Sequence, residues 1–378
     1  MGNENINTAK KNALPPLFQP YEVRQVSFKN RVIVTPMCQY ASDDGHVMDW
    51  HFAHHARFSL GGVGGAMVEA TAITRDGRIT HGCNGIYLDS HIEGLSKITS
   101  LYHNQNIPVG IQIGHAGRKG SAALPLDGAA PLANFDPTQA WEIIGPSAIA
   151  MMDDWPVPKA MSEKEILGMI DAFVKATERA IQAGFDFIEI HGAHGYLVNS
   201  FFSPISNQRS DKWGGQDIKN RLRFPLLVAE SMRATMPDSM PLLYRTSAVD
   251  GIDGGTTIED TLVLAKELKA KGVDLVDCSS GGIIGPSGRA LTRPSPGYLV
   301  PFAEEIRQEA DIPTMCVGLI TEAEQANDIV ASGQADLVAI GRQLLDDPNF
   351  VFHAAEQLGH PDPWAVLPTS YGFFLKRR

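Results

Sequence analysis

The sequence predicts an α/β protein: a TIM-type (β/α)8 barrel with an N-terminal hairpin and a long loop after barrel strand three. Three observations predict it. From about residue 31 to the C-terminus, eight short apolar segments alternate with helical ones. The first strand candidate runs into Thr35-Pro36-Met37-Cys38, not into the GxGxxG turn expected of an open doubly wound sheet. Glycines gather after the last three strand candidates, where barrels bind phosphate through backbone N–H groups.

The elements follow in order. Residues 1–13 are polar and expected to be flexible, and residues 14–378 are expected to form one barrel domain. Residues 21–30 suit a short hairpin plugging the barrel floor. The eight strands are expected at 31–35, 65–72, 109–113, 185–190, 242–246, 275–279, 314–317 and 337–340. The clearest helix starts at the capping box Ser162-x-x-Glu165. Its apolar positions Ile166, Met169, Ile170, Phe173, Val174, Thr177, Ala180 and Ile181 keep helical spacing, and Gly184 stops it. Further helices are expected over 262–271 before Gly272 and over 322–332 before Gly333. Residues 114–160, rich in Gly, Pro and Ala, form the longest irregular connection, a length typical of a lid or binding loop.

Composition narrows the function. With 378 residues and 43% hydrophobic content, the chain can bury a large core. A formal charge of −11 argues against nucleic acid and anionic membrane surfaces. No apolar stretch is long enough to span a bilayer, and the N-terminus lacks the apolar core of a signal peptide. Gly2 does not open a myristoylation signal, because Ile6 stands where Ser or Thr is needed. Cys38, Cys83, Cys278 and Cys316 have no CxxC spacing, which suits a reducing compartment. A cytoplasmic protein is expected.

Barrel active sites lie at the C-terminal ends of the strands. Those ends present Thr35, Pro36, Met37 and Cys38 after strand one, Ala70 on strand two and Gln112 on strand three. Strand four gives His191 and His194, and strand five Arg245. Gly281 and Gly282 follow strand six, Gly318 strand seven, and Gly341-Arg342 strand eight. A phosphorylated cofactor fits the glycines, with Arg342 as a fixed charge. His191, His194 and Tyr196 converge where strand four spills into its loop. Imidazoles can donate hydrogen bonds to an oxygen, and a phenol can deliver a proton. No metal is expected, since H-x-x-H is a weak signal and Glu189 is the sole carboxylate close by in sequence. His51, His54 and His55 are expected to pack structurally.

These residues resemble the Old Yellow Enzyme family of FMN-dependent ene-reductases across roughly residues 14–360. The most specific block is His191-Gly192-Ala193-His194-Gly195-Tyr196-Leu197, continuing through Phe202-Ser203-Pro204-Ile205-Ser206-Asn207-Gln208-Arg209-Ser210-Asp211-Lys212-Trp213-Gly214-Gly215 to Asn220-Arg221. Cys38 and Tyr40 match the subgroup with a flavin-side cysteine, which includes bacterial xenobiotic reductases. The resemblance implies FMN held by residues 35–38, Ala70, Gln112, Arg245, Gly318, Leu319, Gly341 and Arg342, with NADPH or NADH as reductant. It implies that Tyr40, His191 and His194 bind an enone or related activated alkene, nitro compounds included, and that Tyr196 protonates it. It also implies a homo-oligomer, dimer or tetramer, in which Phe374 replaces the C-terminal Arg or Trp that relatives use to finish a pocket. Two alternatives stay open: an FMN barrel that oxidises another substrate class, which needs a proton-abstracting base, and a metal-dependent barrel hydrolase, which wants an H-x-H on strand one.

Overall fold

Short β-branched segments alternating with amphipathic helices produce a closed parallel barrel in the computed structural model, which describes residues 13–285 and 294–377. The expected N-terminal tail, up to residue 12, lies outside the described residues. A hairpin comes first, with β1 (Tyr21–Val23) antiparallel to β2 (Val26–Phe28). Barrel strands β3 (Val32–Val34), β4 (Gly65–Ala72) and β5 (Val109–Gly114) follow. The long loop carries its own two-residue parallel pair, β6 (Ile144–Gly145) and β7 (Lys159–Ala160). The barrel resumes with β8 (Phe187–Gly192), β9 (Leu242–Ser247), β10 (Leu275–Ser279), β11 (Thr314–Cys316) and β12 (Leu337–Ile340), and β12 pairs back onto β3.

The period-2 alternation of strand side chains builds the interior in layers. Ile188, Ile190, Leu242, Tyr244, Val276 and Cys278 point outward into the core shared with the helices. Phe187, Leu243, Leu275, Met315 and Leu337 point inward and join Val23 and Phe28 of the hairpin in a second core at the floor. The Phe28 and Phe187 rings meet edge-on at 5.6 Å, which seats the hairpin as the expected plug. Two residues further along the strands, the same inward face carries Gln112, Glu189, Arg245 and Asp277. Two more bring His191 and Ser279 to the mouth. The barrel therefore changes along its axis from apolar floor to charged interior to a rim that carries His191 and Ser279.

Close packing at the floor makes a test of this layering. A Cβ on Gly110 would lie 2.2 Å from the Phe187 ring. Gly110→Ala should destabilise the protein by about 1–3 kcal/mol through overpacking, read as a lower urea midpoint.

Two elements differ from the sequence expectation by two residues or more. Strand four is Phe187–Gly192, not 185–190. Gly184 leaves the preceding helix at φ +85°, and the Asp186 carboxylate accepts the Val109 N–H at 2.7 Å, so pairing starts only at Phe187. His191 thus sits on the strand, with only His194 in the loop. The helix expected from residue 262 begins at Ile258, because Thr257 and Asp260 form a capping box. The helix Glu163–Gln182 has its expected box, with the Ser162 N–H donating to Glu165 at 2.7 Å. Among the described residues, no helix is long and apolar enough to cross a membrane.

Candidate active site

Strand β8 and the turn after it set three rings against one another. His191 meets the His194 ring at 5.2 Å and the Tyr196 ring at 4.8 Å, edge to face in both cases. His191 and Tyr196 are buried. The Ala193 N–H donates to His191 Nδ1 at 3.4 Å, which leaves the ring proton on Nε2. Burial, reinforced by the Arg245 charge, holds both imidazoles well below the usual histidine range, so both are neutral.

His194 adopts a left-handed φ of +62°, uncommon for any residue but glycine. Its surroundings fix it there. Its N–H donates to Ser247 Oγ at 2.9 Å, and its carbonyl accepts from Lys119 Nζ at 2.8 Å. Ring Nε2 lies 2.7 Å from Ser279 Oγ. Gly282 presses on the same turn so closely that a Cβ would sit 2.8 Å from the His194 Cα. Gly281 donates its N–H to the Val249 carbonyl and accepts from Ser247 Oγ, both at 2.8 Å. These two glycines were expected beside a phosphate. They form instead the back wall of the His194 turn, because the loop after β10 folds onto the loop after β8.

A cavity of about 350 Å³ opens beside this cluster, over the ends of β9 to β12 and β3. Thr35, Met37, His194, Arg245, Gly318, Leu319, Gly341 and Arg342 line it. Arg245 is buried, and its Nε has no hydrogen-bond partner. Its Nη1 donates to Thr35 Oγ1 at 3.4 Å. Arg342 is exposed. Leu319 at φ +52° is strained for a side-chain-bearing residue, as happens where a loop is shaped around a ligand. A buried guanidinium at the cavity wall, glycine-rich loop backbone and a second, exposed guanidinium together fit a flavin with its phosphate.

The remaining expected residues surround this cavity without all lining it. Pro36 and Cys38 continue the Thr35–Met37 segment. Burial, with Glu69 close by, pushes the Cys38 thiol well up, so it is protonated. Burial and then Cys38 likewise raise the Tyr40 phenol. Ala70 lies in a β4 bulge and faces a small void of about 20 Å³ behind His191 and Tyr196. Gln112 is buried deeper and donates from Nε2 to Glu189 Oε1 at 2.7 Å. His51, from the helical histidine cluster, lies 3.7 Å from Glu69, and His55 meets the Tyr102 hydroxyl at 2.9 Å.

Sequence reasoning missed several supports. Glu69 is buried and accepts the Gln39 N–H at 2.8 Å, anchoring the Cys38–Tyr40 turn to β4. Arg118 and Lys119, both buried, tie the long loop to the site. Arg118 donates to the carbonyls of Ile149, Ala150 and Ile283, and Lys119 to those of His194 and Gly282. Burial, with Arg118 adjacent, lowers the Lys119 ammonium to about 7. Their one sequence signal was two successive cations in a stretch otherwise rich in Gly, Pro and Ala.

The long loop roofs a second cavity of about 100 Å³, lined by Tyr40, Tyr196 and Lys119 on the barrel side and by Ala122, Ala123, Met151 and Trp155 on the loop side. Tyr196 therefore borders both the small void and this apolar chamber.

Comparison with known proteins shows the family. The model of the NADH:flavin oxidoreductase / NADH oxidase family matches residues 16–360. An NADPH dehydrogenase from Geobacillus sp. is 44% identical over 345 residues, spanning 91% of this chain and 94% of that protein. The fold is shared with the Old Yellow Enzyme of Trypanosoma cruzi (TM-score 0.75, 23% identity, 91% of this chain and 93% of the other). It is shared also with 2-naphthoyl-CoA reductase (TM-score 0.80, 24% identity, 94% of this chain), of which this chain spans about half the length, 54%. The chain belongs to the NADH:flavin oxidoreductase / NADH oxidase family and is an NAD(P)H-dependent oxidoreductase with FMN as its cofactor.

Proposed function

We propose that the enzyme reduces the C=C bond of α,β-unsaturated carbonyl compounds and nitro-activated alkenes with NADPH as reductant. One observation carries the proposal: two neutral imidazoles and a phenol stand ring against ring on one wall of the site. A reductase of polarised alkenes needs two donors for the oxygen and one acid for the carbon beside it. An oxidase would need a base with a free acceptor nitrogen facing the substrate, whereas His191 Nδ1 accepts the Ala193 N–H and His194 Nε2 faces the Ser279 hydroxyl.

Bound FMN, recharged by NADPH, would supply the hydride. His191 donates from Nε2. His194 donates from Nδ1 when its Nε2 accepts the Ser279 hydroxyl proton. Both hydrogen bonds go to the substrate oxygen, which gains negative charge as the β-carbon is reduced. Tyr196 then passes its hydroxyl proton to the α-carbon. Thr35, Met37, Gly318, Gly341 and Arg342 would hold the cofactor, Arg245 would place a positive charge beside it, and Tyr40 and the roof of the long loop would enclose the substrate. The apolar roof of Ala122, Ala123, Met151 and Trp155 suits a small molecule with an apolar body, and a cationic group there would lose its hydration beside Lys119.

Purified protein loaded with FMN should be yellow. It should bleach with NADPH in the absence of oxygen and recover its colour on addition of 2-cyclohexenone. Colour that returns with oxygen but not with the enone would overturn the assignment.

A further inference from the structure

The charged layer beneath the site holds more carboxylate than its cation can match. Glu189 and Asp277 are both fully buried in the barrel interior. They stand on β8 and β10, the two strands that flank β9 and its Arg245, and each acts on the other's ionisation. Glu189 Oε1 accepts from Gln112 Nε2 at 2.7 Å, but Glu189 Oε2 has no donor. Both Asp277 oxygens also lack a hydrogen-bond donor, although Oδ2 is 3.3 Å from Arg245 Nε. Parallel pairing puts Asp277 directly beside Arg245 and Glu189 directly beside Gln112. The charged groups of this layer are thus one guanidinium and two carboxyls.

We propose that Glu189 and Asp277 hold a single proton between them, and that the one remaining negative charge sets the electrostatic counterweight to Arg245 at the cofactor site. Two carboxylates that interact inside a protein cannot both ionise, because each raises the other's proton affinity. A proton placed between them supplies the missing donor for the orphaned oxygens. It also leaves one carboxylate for one guanidinium. Burial is the largest influence raising both acids, and it acts on Glu189 together with the Asp277 charge. Glu189 and Asp277 are thus positioning residues: they act on the cofactor through Arg245.

Infrared spectroscopy tests this on the intact protein, with and without FMN. The wild type should show the carbonyl stretch of a protonated buried carboxyl at neutral pH, shifted by exchange into D₂O. Its absence would overturn the proposal, since both groups would then be ionised. Glu189→Gln and Asp277→Asn should each abolish the band, because the surviving acid ionises to face Arg245. Persistence of the band in both variants would place the protonated acid elsewhere and overturn it too. The flavin midpoint potential gives the second readout. Each single variant keeps the net charge and should shift it little, whereas the double variant leaves Arg245 uncompensated and should raise it markedly. Equal shifts in the single and double variants would overturn the counterweight role.

Discussion

Tyr196→Phe should slow alkene reduction by roughly 10²–10⁴-fold, the usual worth of a general acid, while leaving NADPH-driven bleaching of the flavin nearly intact. The substitution removes one oxygen and keeps the ring. Tyr196 caps the short helix Leu197–Phe202 through its backbone, so the helix does not depend on the hydroxyl. The phenyl ring keeps its edge contact with His191 at 4.8 Å and its place 5.4 Å from Lys119 Nζ. The two half-reactions separate because only one of them needs a proton delivered to carbon. Stopped-flow measurement of flavin reduction by NADPH, then of reoxidation by 2-cyclohexenone, reads them independently. An equal fall in both would mean that the phenol shapes the site and does not donate the proton.

The barrel was legible because its signals are local. Period-2 strands, the Ser162–Glu165 box and Gly184 each act within a few residues, and the helix and strands appear where those signals put them. The boundary of β8 was less legible because Asp186 ends the turn by reaching across to Val109, 77 residues away in sequence. The meeting of the His191, His194 and Tyr196 rings was legible because the three fall within six residues. Its supports were not, since each is a long-range contact. Lys119 finds the His194 carbonyl across 75 residues, and Ser279 finds its ring across 85. Gly281 and Gly282 show the same limit from the other side. Their placement at a strand end suggested phosphate, but the fold of the neighbouring loop uses them to back His194. Glu189 carried a usable signal that was read only as a stray carboxylate. It is the one carboxylate on the inward face of β8, and an inward acid in a barrel needs a partner on the next strands.

His194→Ala and His191→Ala should each reduce the rate of reoxidation by 2-cyclohexenone by about 10²–10³-fold, the typical loss when one preorganised donor is taken from a developing oxyanion. The larger loss is expected at His194. Its backbone is held in a strained conformation by Ser247, Lys119 and Gly282, so the structure invests in the position of that ring. The pH dependence separates a neutral donor pair from an imidazolium acid. Burial holds both imidazoles well below the ordinary value, so neither should titrate between about pH 8 and about pH 5.5. The single-turnover reoxidation rate should therefore show no inflection near the usual histidine pKa. Stability has the opposite sensitivity. The unfolded chain takes up protons at these histidines as pH falls through about 6.5 while the folded chain does not, so the urea midpoint should drop below that pH. A reoxidation rate that rose on acidification through that range, with no loss of stability, would make the histidines cationic acids and return the role of proton donor to the imidazoles.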